Sequence, residues 1–197
     1  MKIQVILGST RHGRVIEPVG KWVEAAAGAI EGFEVETVDL ADYEMPLFNE
    51  AMSPRYNQNR VIDAKVKPFL DKLGEADGYV FVTPEYNHSI PAVLKNAFDY
   101  ITFEIQKKPA AIVSYGTVGG ARAAEHLKAI LIEGKAAVVP EATALLNPTD
   151  ALDAEGMLKA DLLANPWGPQ SALNTTLNEL AWWTSALKAG RVEHANV

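Results

Sequence analysis

The chain contains no cysteine among its 197 residues. That absence removes disulfides, thiolate nucleophiles, iron–sulfur clusters and cysteine zinc sites together, so any redox role must rest on a bound cofactor. Positive charge is also in short supply: 18 Lys and Arg stand against 25 Asp and Glu, a formal charge of −7. Nucleic-acid backbones and anionic lipid both require clustered cations, so neither is expected as a partner, whereas a small molecule or another protein is. Aromatic residues are sparse at 8%, yet 48% of the chain is hydrophobic and 22% charged, which is too apolar for disorder and suits one globular domain over 1–197. No apolar run reaches the roughly 18 residues of a membrane span, and Met1–Leu7 is too short for a signal segment, so a cytoplasmic protein is expected. The histidines His12, His88, His126 and His194 lie in separate segments without metal-ligand spacing, so no metal is expected, and no Gly-x-Ser-x-Gly elbow marks a hydrolase.

The apolar periodicity alternates between strand and helix. Ile3–Leu7 is a short β-branched run, followed by Gly8-Ser9-Thr10 and a helical stripe of Ile16, Val19, Val23, Ala26 and Ala27 up to Gly32. Residues 33–40 alternate with period two, the pattern of a strand at a sheet edge. Residues 43–59 read as a long irregular loop, and 61–73 as a helix interrupted by Pro68. The continuous apolar runs at 78–83 and 109–114 predict strands buried on both faces. Helices follow from Pro91 through Ile101 and over 121–133, the latter closed by Gly134. A fifth strand is expected at 136–140, then an irregular insertion over 147–170 and a C-terminal helix over 171–189. In that helix Trp182 and Trp183 read as packing residues. Trp167, in the Pro-rich insertion, would cover a subunit boundary or the ligand, and Lys107-Lys108 read as a solvated charge pair. Strands alternating with helices predict a parallel α/β sheet covered on both sides, with ligands at the strands' carboxyl ends.

Three loops at that edge carry chemistry. Gly8-Ser9-Thr10-Arg11-His12-Gly13-Arg14 stands where a phosphate loop belongs: hydroxyls, glycines that admit backbone N–H groups, a helix N-terminus and two guanidinium forks suit a phosphomonoester. The spacing Gly8-x4-Gly13 mimics a Walker loop, but Arg14-Val15 replaces the required Lys and Ser or Thr, which argues against nucleoside-triphosphate hydrolysis. The dinucleotide pattern G-x-G-x-x-G is absent here as well. The second loop, Thr83-Pro84-Glu85-Tyr86-Asn87-His88-Ser89-Ile90-Pro91, is bracketed by prolines and presents an aromatic ring, a carboxylate and an amide suited to a flat heteroaromatic ligand. Read alone it is better taken as an ordinary strand-to-helix turn, because Pro, Asn and Ser are common turn residues. The third, Ser114-Tyr115-Gly116-Thr117-Val118-Gly119-Gly120, permits close backbone approach.

Taken together, Gly8-Ser-Thr-Arg-x-Gly-Arg14, Thr83-Pro-Glu-Tyr-Asn87 and Ser114-Tyr-Gly-x-x-Gly-Gly120 resemble the NADPH-dependent FMN reductase family over about residues 1–140. The resemblance implies a flavodoxin-like three-layer α/β sandwich with a five-stranded parallel sheet of order 2-1-3-4-5, and non-covalently bound FMN. By the same resemblance Ser9, Arg11 and Arg14 would hold the FMN phosphate. Pro84, Glu85, Tyr86 and Asn87 would line the ribityl chain and ring, and Ser114, Gly116, Gly119 and Gly120 would meet the pyrimidine end. No protein side chain is then required as a catalytic residue, because the flavin carries the chemistry between NADPH or NADH and a flavin, quinone or similar small-molecule acceptor. Family resemblance also implies a homodimer or homotetramer. The competing functions are a flavodoxin-like electron carrier and a non-catalytic flavin-binding redox sensor.

Overall fold

A computed structural model describes residues 1–194. Five strands, β1 (Lys2–Leu7), β2 (Glu34–Asp39), β3 (Gly78–Pro84), β4 (Pro109–Gly116) and β5 (Ala137–Leu146), form one sheet of order β2-β1-β3-β4-β5, parallel throughout. This is the expected flavodoxin-like topology. Among the described residues seven α-helices accompany the strands: α1 (Ile16–Gly28), α2 (Lys67–Gly74), α3 (Ala92–Tyr100), α4 (Ala121–Glu133), α5 (Pro148–Ala151), α6 (Ala160–Ala164) and α7 (Pro169–Glu193). None among the described residues is long and apolar enough to cross a membrane.

Period-two alternation along buried strands divides the core into two layers. Ile6, Tyr79, Phe81 and Ile112 face Phe69, Leu73, Leu94 and Leu127 of α2, α3 and α4. Ile3, Val5, Val80, Val82 and Val113 face Ile16, Val19, Leu173 and Leu177 of α1 and α7. Every residue of β3 is buried, as its continuous apolarity requires, whereas β2 has a single buried position and lies at the edge.

Three elements differ from the sequence reading. Pro68 occupies the first turn of α2, so 61–66 is irregular chain and turn rather than helix. β5 runs well past Pro140, because a bulge opposite Ala110–Ile112 absorbs the proline's missing donor and pairing resumes at Ala142. α7 begins at Pro169 and continues to Glu193. Trp183 packs against the core as expected, but Trp182 is 64% and Trp167 93% exposed. Lys108 is no solvated partner to Lys107: its ammonium donates to the Gly74 carbonyl at 2.7 Å, at the amino end of β4, remote from the ligand edge.

Parallel register brings the strand ends level. Leu7 pairs with both Asp39 and Val82, Thr83 with Ser114, and Pro84 with Tyr115. The loops that leave β1, β3 and β4 therefore start side by side.

Candidate functional site

The first loop leaves β1 at Gly8, whose N–H donates to the Val82 carbonyl at 2.9 Å. A Cβ there would lie 2.8 Å from Leu94 Cδ2 and 2.9 Å from that carbonyl, so only glycine lets the loop pass so close to β3. Ser9 is fully buried, while Thr10, Arg11 and His12 are exposed. Gly13 takes a left-handed φ of 66°, which turns the chain into α1. No side chain caps α1, whose N-cap is Val15, so the N–H groups of its first turn remain available to an anion.

The loop after β3 is a miniature hairpin. Tyr86 and Ser89 exchange backbone bonds of 2.9 and 3.0 Å, and Asn87 and His88 between them both have positive φ, the conformation of a type I′ turn. The turn projects Tyr86 back toward the first loop, where its hydroxyl meets Ser9 Oγ at 2.8 Å. The Arg11 guanidinium lies 4.9 Å from the Tyr86 ring centroid, a cation–π contact, and has no carboxylate partner among the described residues. Ser9, Arg11 and Tyr86 are thus brought together as one group.

Other candidate residues are engaged within the fold. The Arg14 fork grips Asp39 through two bonds, donates to the Ser9 carbonyl at 2.5 Å and touches Glu17. Hydrogen bonding to Asp39 holds its already high pKa higher still. Glu85 turns from Tyr86 to pair with the Arg122 side chain and to accept from the Arg122 N–H at 3.1 Å, which pulls its carboxyl below the ordinary range. Ser114 Oγ donates to the Gly119 carbonyl at 2.7 Å, and its loop depends on glycine: Gly116, Gly119 and Gly120 all have positive φ. Pro84 is buried, and Asn87 is exposed at the tip of the turn. Gly120 starts α4 without a cap of its own, and the Glu85 carboxylate takes that role by accepting from the Arg122 N–H in the first turn. Grooves lined by Arg55, Phe98 and Glu133, or by Leu47, Glu50 and Val61, include none of these residues.

Sequence reading missed three residues. Asp39 lies twenty-five positions from Arg14, and only the β1–β2 register brings the two together. Arg122 meets Glu85 through the β3–β4 pairing. Tyr115 is 3% exposed, and its hydroxyl has no hydrogen-bond partner; a polar side chain ending an apolar strand was the visible signal for it.

An uncapped helix N-terminus and an arginine without a carboxylate partner are what the phosphate end of FMN requires. Glycine loops that accept close backbone approach suit its ring. The residues present therefore fit that group.

Residues 1–150 match the NADPH-dependent FMN reductase family. An NAD(P)H-dependent FMN reductase of Schizosaccharomyces pombe is 38% identical over 151 residues, covering 77% of this chain and 76% of that relative. A quinone reductase of Escherichia coli is 36% identical over 140 residues, covering 66% of this chain and 70% of that one. In fold, the chain is similar to FerB, a flavoenzyme NAD(P)H:acceptor oxidoreductase from Paracoccus denitrificans, with a TM-score of 0.71 at 24% identity over 94% of this chain and 97% of FerB.

Proposed function

Because the chain belongs to the NADPH-dependent FMN reductase family, we propose that it is an NAD(P)H-dependent oxidoreductase that binds FMN non-covalently and reduces a flavin, quinone or similar small acceptor. The observation that carries this reading is the cluster of Ser9, Arg11 and Tyr86 beside the uncapped N-terminus of α1, at the carboxyl edge of a family-matched sheet. When bound, FMN supplies the redox chemistry, accepting a hydride from reduced nicotinamide and returning electrons to an acceptor.

The chain's part is to bind and orient. Arg11 and the free N–H groups at the start of α1 hold the phosphate, with Ser9 adding its hydroxyl once Tyr86 releases it. Arg14 acts one step back: locked to Asp39 and to the Ser9 carbonyl, it sets the shape of the loop. Tyr86 and Asn87 border the ring from the β3 loop, and Pro84 fixes that loop's departure. The Gly116–Gly120 backbone approaches the pyrimidine end, where the free N–H groups of that loop would donate to the ring's oxygens. Glu85 fixes Arg122 and the α4 N-terminus against the β3 loop.

A homodimer or homotetramer in the cytoplasm is proposed with this activity. Exposed Tyr56, Phe103 and Ile132, set among Arg55, Glu133 and Lys135 on the side of α3 and α4, provide a mixed apolar and charged face for self-association. The electron-carrier reading is not favoured, since the relatives at 36–38% identity are named reductases.

The test is a panel of NADPH and NADH against free FMN, quinones and azo compounds, using FMN-loaded protein. Steady turnover with at least one acceptor is expected. Bound FMN that neither nicotinamide reduces would leave a carrier or sensor and refute the enzyme.

A further inference from the structure

Tyr115 closes the apolar run of β4, one residue before the glycine loop, and its side chain lies in the layer formed by α1 and α7. The residue is 3% exposed, and its hydroxyl, shut off from solvent, bonds to nothing among the described residues. Buried phenols almost always find a partner, so an orphan of this kind marks a place built for one. Its surroundings identify the partner's charge. Tyr115 pairs with Pro84 at the start of the β3 loop and shares its core layer with Leu7, Val15 and Ile16, which flank the first loop, and the charges of Arg11 and Arg14 on that loop act on the phenol. Ser9 is bonded to Tyr86 and Arg14 to Asp39, so neither serves the phenol, which is left as a donor without an acceptor.

We propose that the Tyr115 hydroxyl is a donor to the phosphate of the bound flavin, and that it contributes to selection of the phosphorylated flavin over riboflavin. The inference rests on the FMN reading and adds to it a residue and a specificity. Burial pushes the phenol's pKa up, so Tyr115 stays protonated, and therefore a donor, across the working pH range. A phenol suits this role because its ring is rigid and its hydroxyl donates without adding to the exposed surface.

Tyr115→Phe removes the hydroxyl and preserves the ring. Flavin titrations, followed by quenching of flavin fluorescence, give dissociation constants for FMN and riboflavin on wild type and variant, and thermal melts of the flavin-free proteins report folding. The FMN dissociation constant should rise about tenfold or more, as expected for a lost bond to a charged group, while that for riboflavin stays unchanged. The flavin-free variant should melt at or above the wild-type temperature, because it no longer buries an unbonded hydroxyl. An unchanged FMN constant, with wild type binding FMN normally, would overturn the proposal alone. Equal weakening of both flavins would also overturn it, since that assigns Tyr115 to packing. Wild-type protein that binds neither flavin would overturn the FMN reading itself and this proposal with it.

Discussion

The Arg14 guanidinium holds the Asp39 carboxylate in a fork of two hydrogen bonds, 2.7 Å from Nη1 and 2.5 Å from Nη2, and so ties the first loop to the end of the edge strand β2. Both side chains are largely buried, at 12% and 19% exposure, and Asp39 also accepts from the Ala41 N–H at 2.9 Å. A bidentate pair of this kind fixes direction as well as distance.

Asp39→Asn should therefore loosen the loop. The expected cost is about 1.5–3 kcal/mol of stability, seen in denaturant unfolding, with weaker FMN binding alongside. If Arg14 were itself the phosphate clasp, freeing it from Asp39 would tighten FMN instead, so the sign of the change in dissociation constant separates the two roles.

Arg11 is the cation of the loop left without a carboxylate, resting on the Tyr86 ring. Arg11→Ala should raise the FMN dissociation constant by roughly ten- to a hundredfold, the worth of a charge-assisted contact, with little loss of stability. Isothermal titration at two salt concentrations checks it, and the gap between wild type and variant should narrow at high salt.

Gly120 has a φ of 72°, and a Cβ there would lie 2.8 Å from the Tyr115 nitrogen and 2.9 Å from the Tyr115 oxygen. Backbone cannot yield as a side chain does. Gly120→Ala should lower the melting temperature by several degrees and abolish tight FMN binding by displacing the loop that leads into α4, whereas Thr117→Ala, in the same loop but exposed, should do neither.

Lys108 supplies a pH signature remote from the site. Burial, with the Arg191 charge acting in the same sense, pushes its pKa down to about 8 from the usual 10.5. Between those values the unfolded chain binds more protons than the folded one, so stability rises with pH across that window. Relative to Lys108→Met, the wild-type protein should gain of order 1–3 kcal/mol from pH 8 to 10.5 in urea unfolding. A difference that stays flat across the window would show the amine to be unperturbed.

The parts of this architecture that the sequence made legible are those set by local periodicity. β3, whose residues are apolar throughout, could only be a strand covered on both faces, and Gly8 through Arg14 marked the turn into α1. β5 was cut short because Pro140 reads as a stop. Only the pairing with β4 shows that a bulge carries the strand past it. Pro68 read as an interruption for the same reason: a proline within an apolar stripe and a proline at a helix start differ only in whether residues 61–66 are helical.

At the site, the residue types and their three loops were legible, but the division of labour was not. Arg11 and Arg14 are equivalent on paper. The β1–β2 register, which sets Leu7 beside Asp39, gives Arg14 a carboxylate and leaves Arg11 free. Glu85 likewise has a partner, Arg122, that only the β3–β4 pairing brings against it. Long-range partners decide such roles, and no local pattern encodes them.

The most direct test of the account is the visible spectrum of the purified, FMN-reconstituted protein, freed of unbound flavin and then mixed with NADPH or NADH without oxygen. The account predicts a yellow protein carrying one FMN per chain, bleached by at least one of the two nicotinamides and recoloured by an added quinone or flavin acceptor. A colourless protein that fails to retain FMN, or bound FMN that stays oxidised with both nicotinamides, would contradict it.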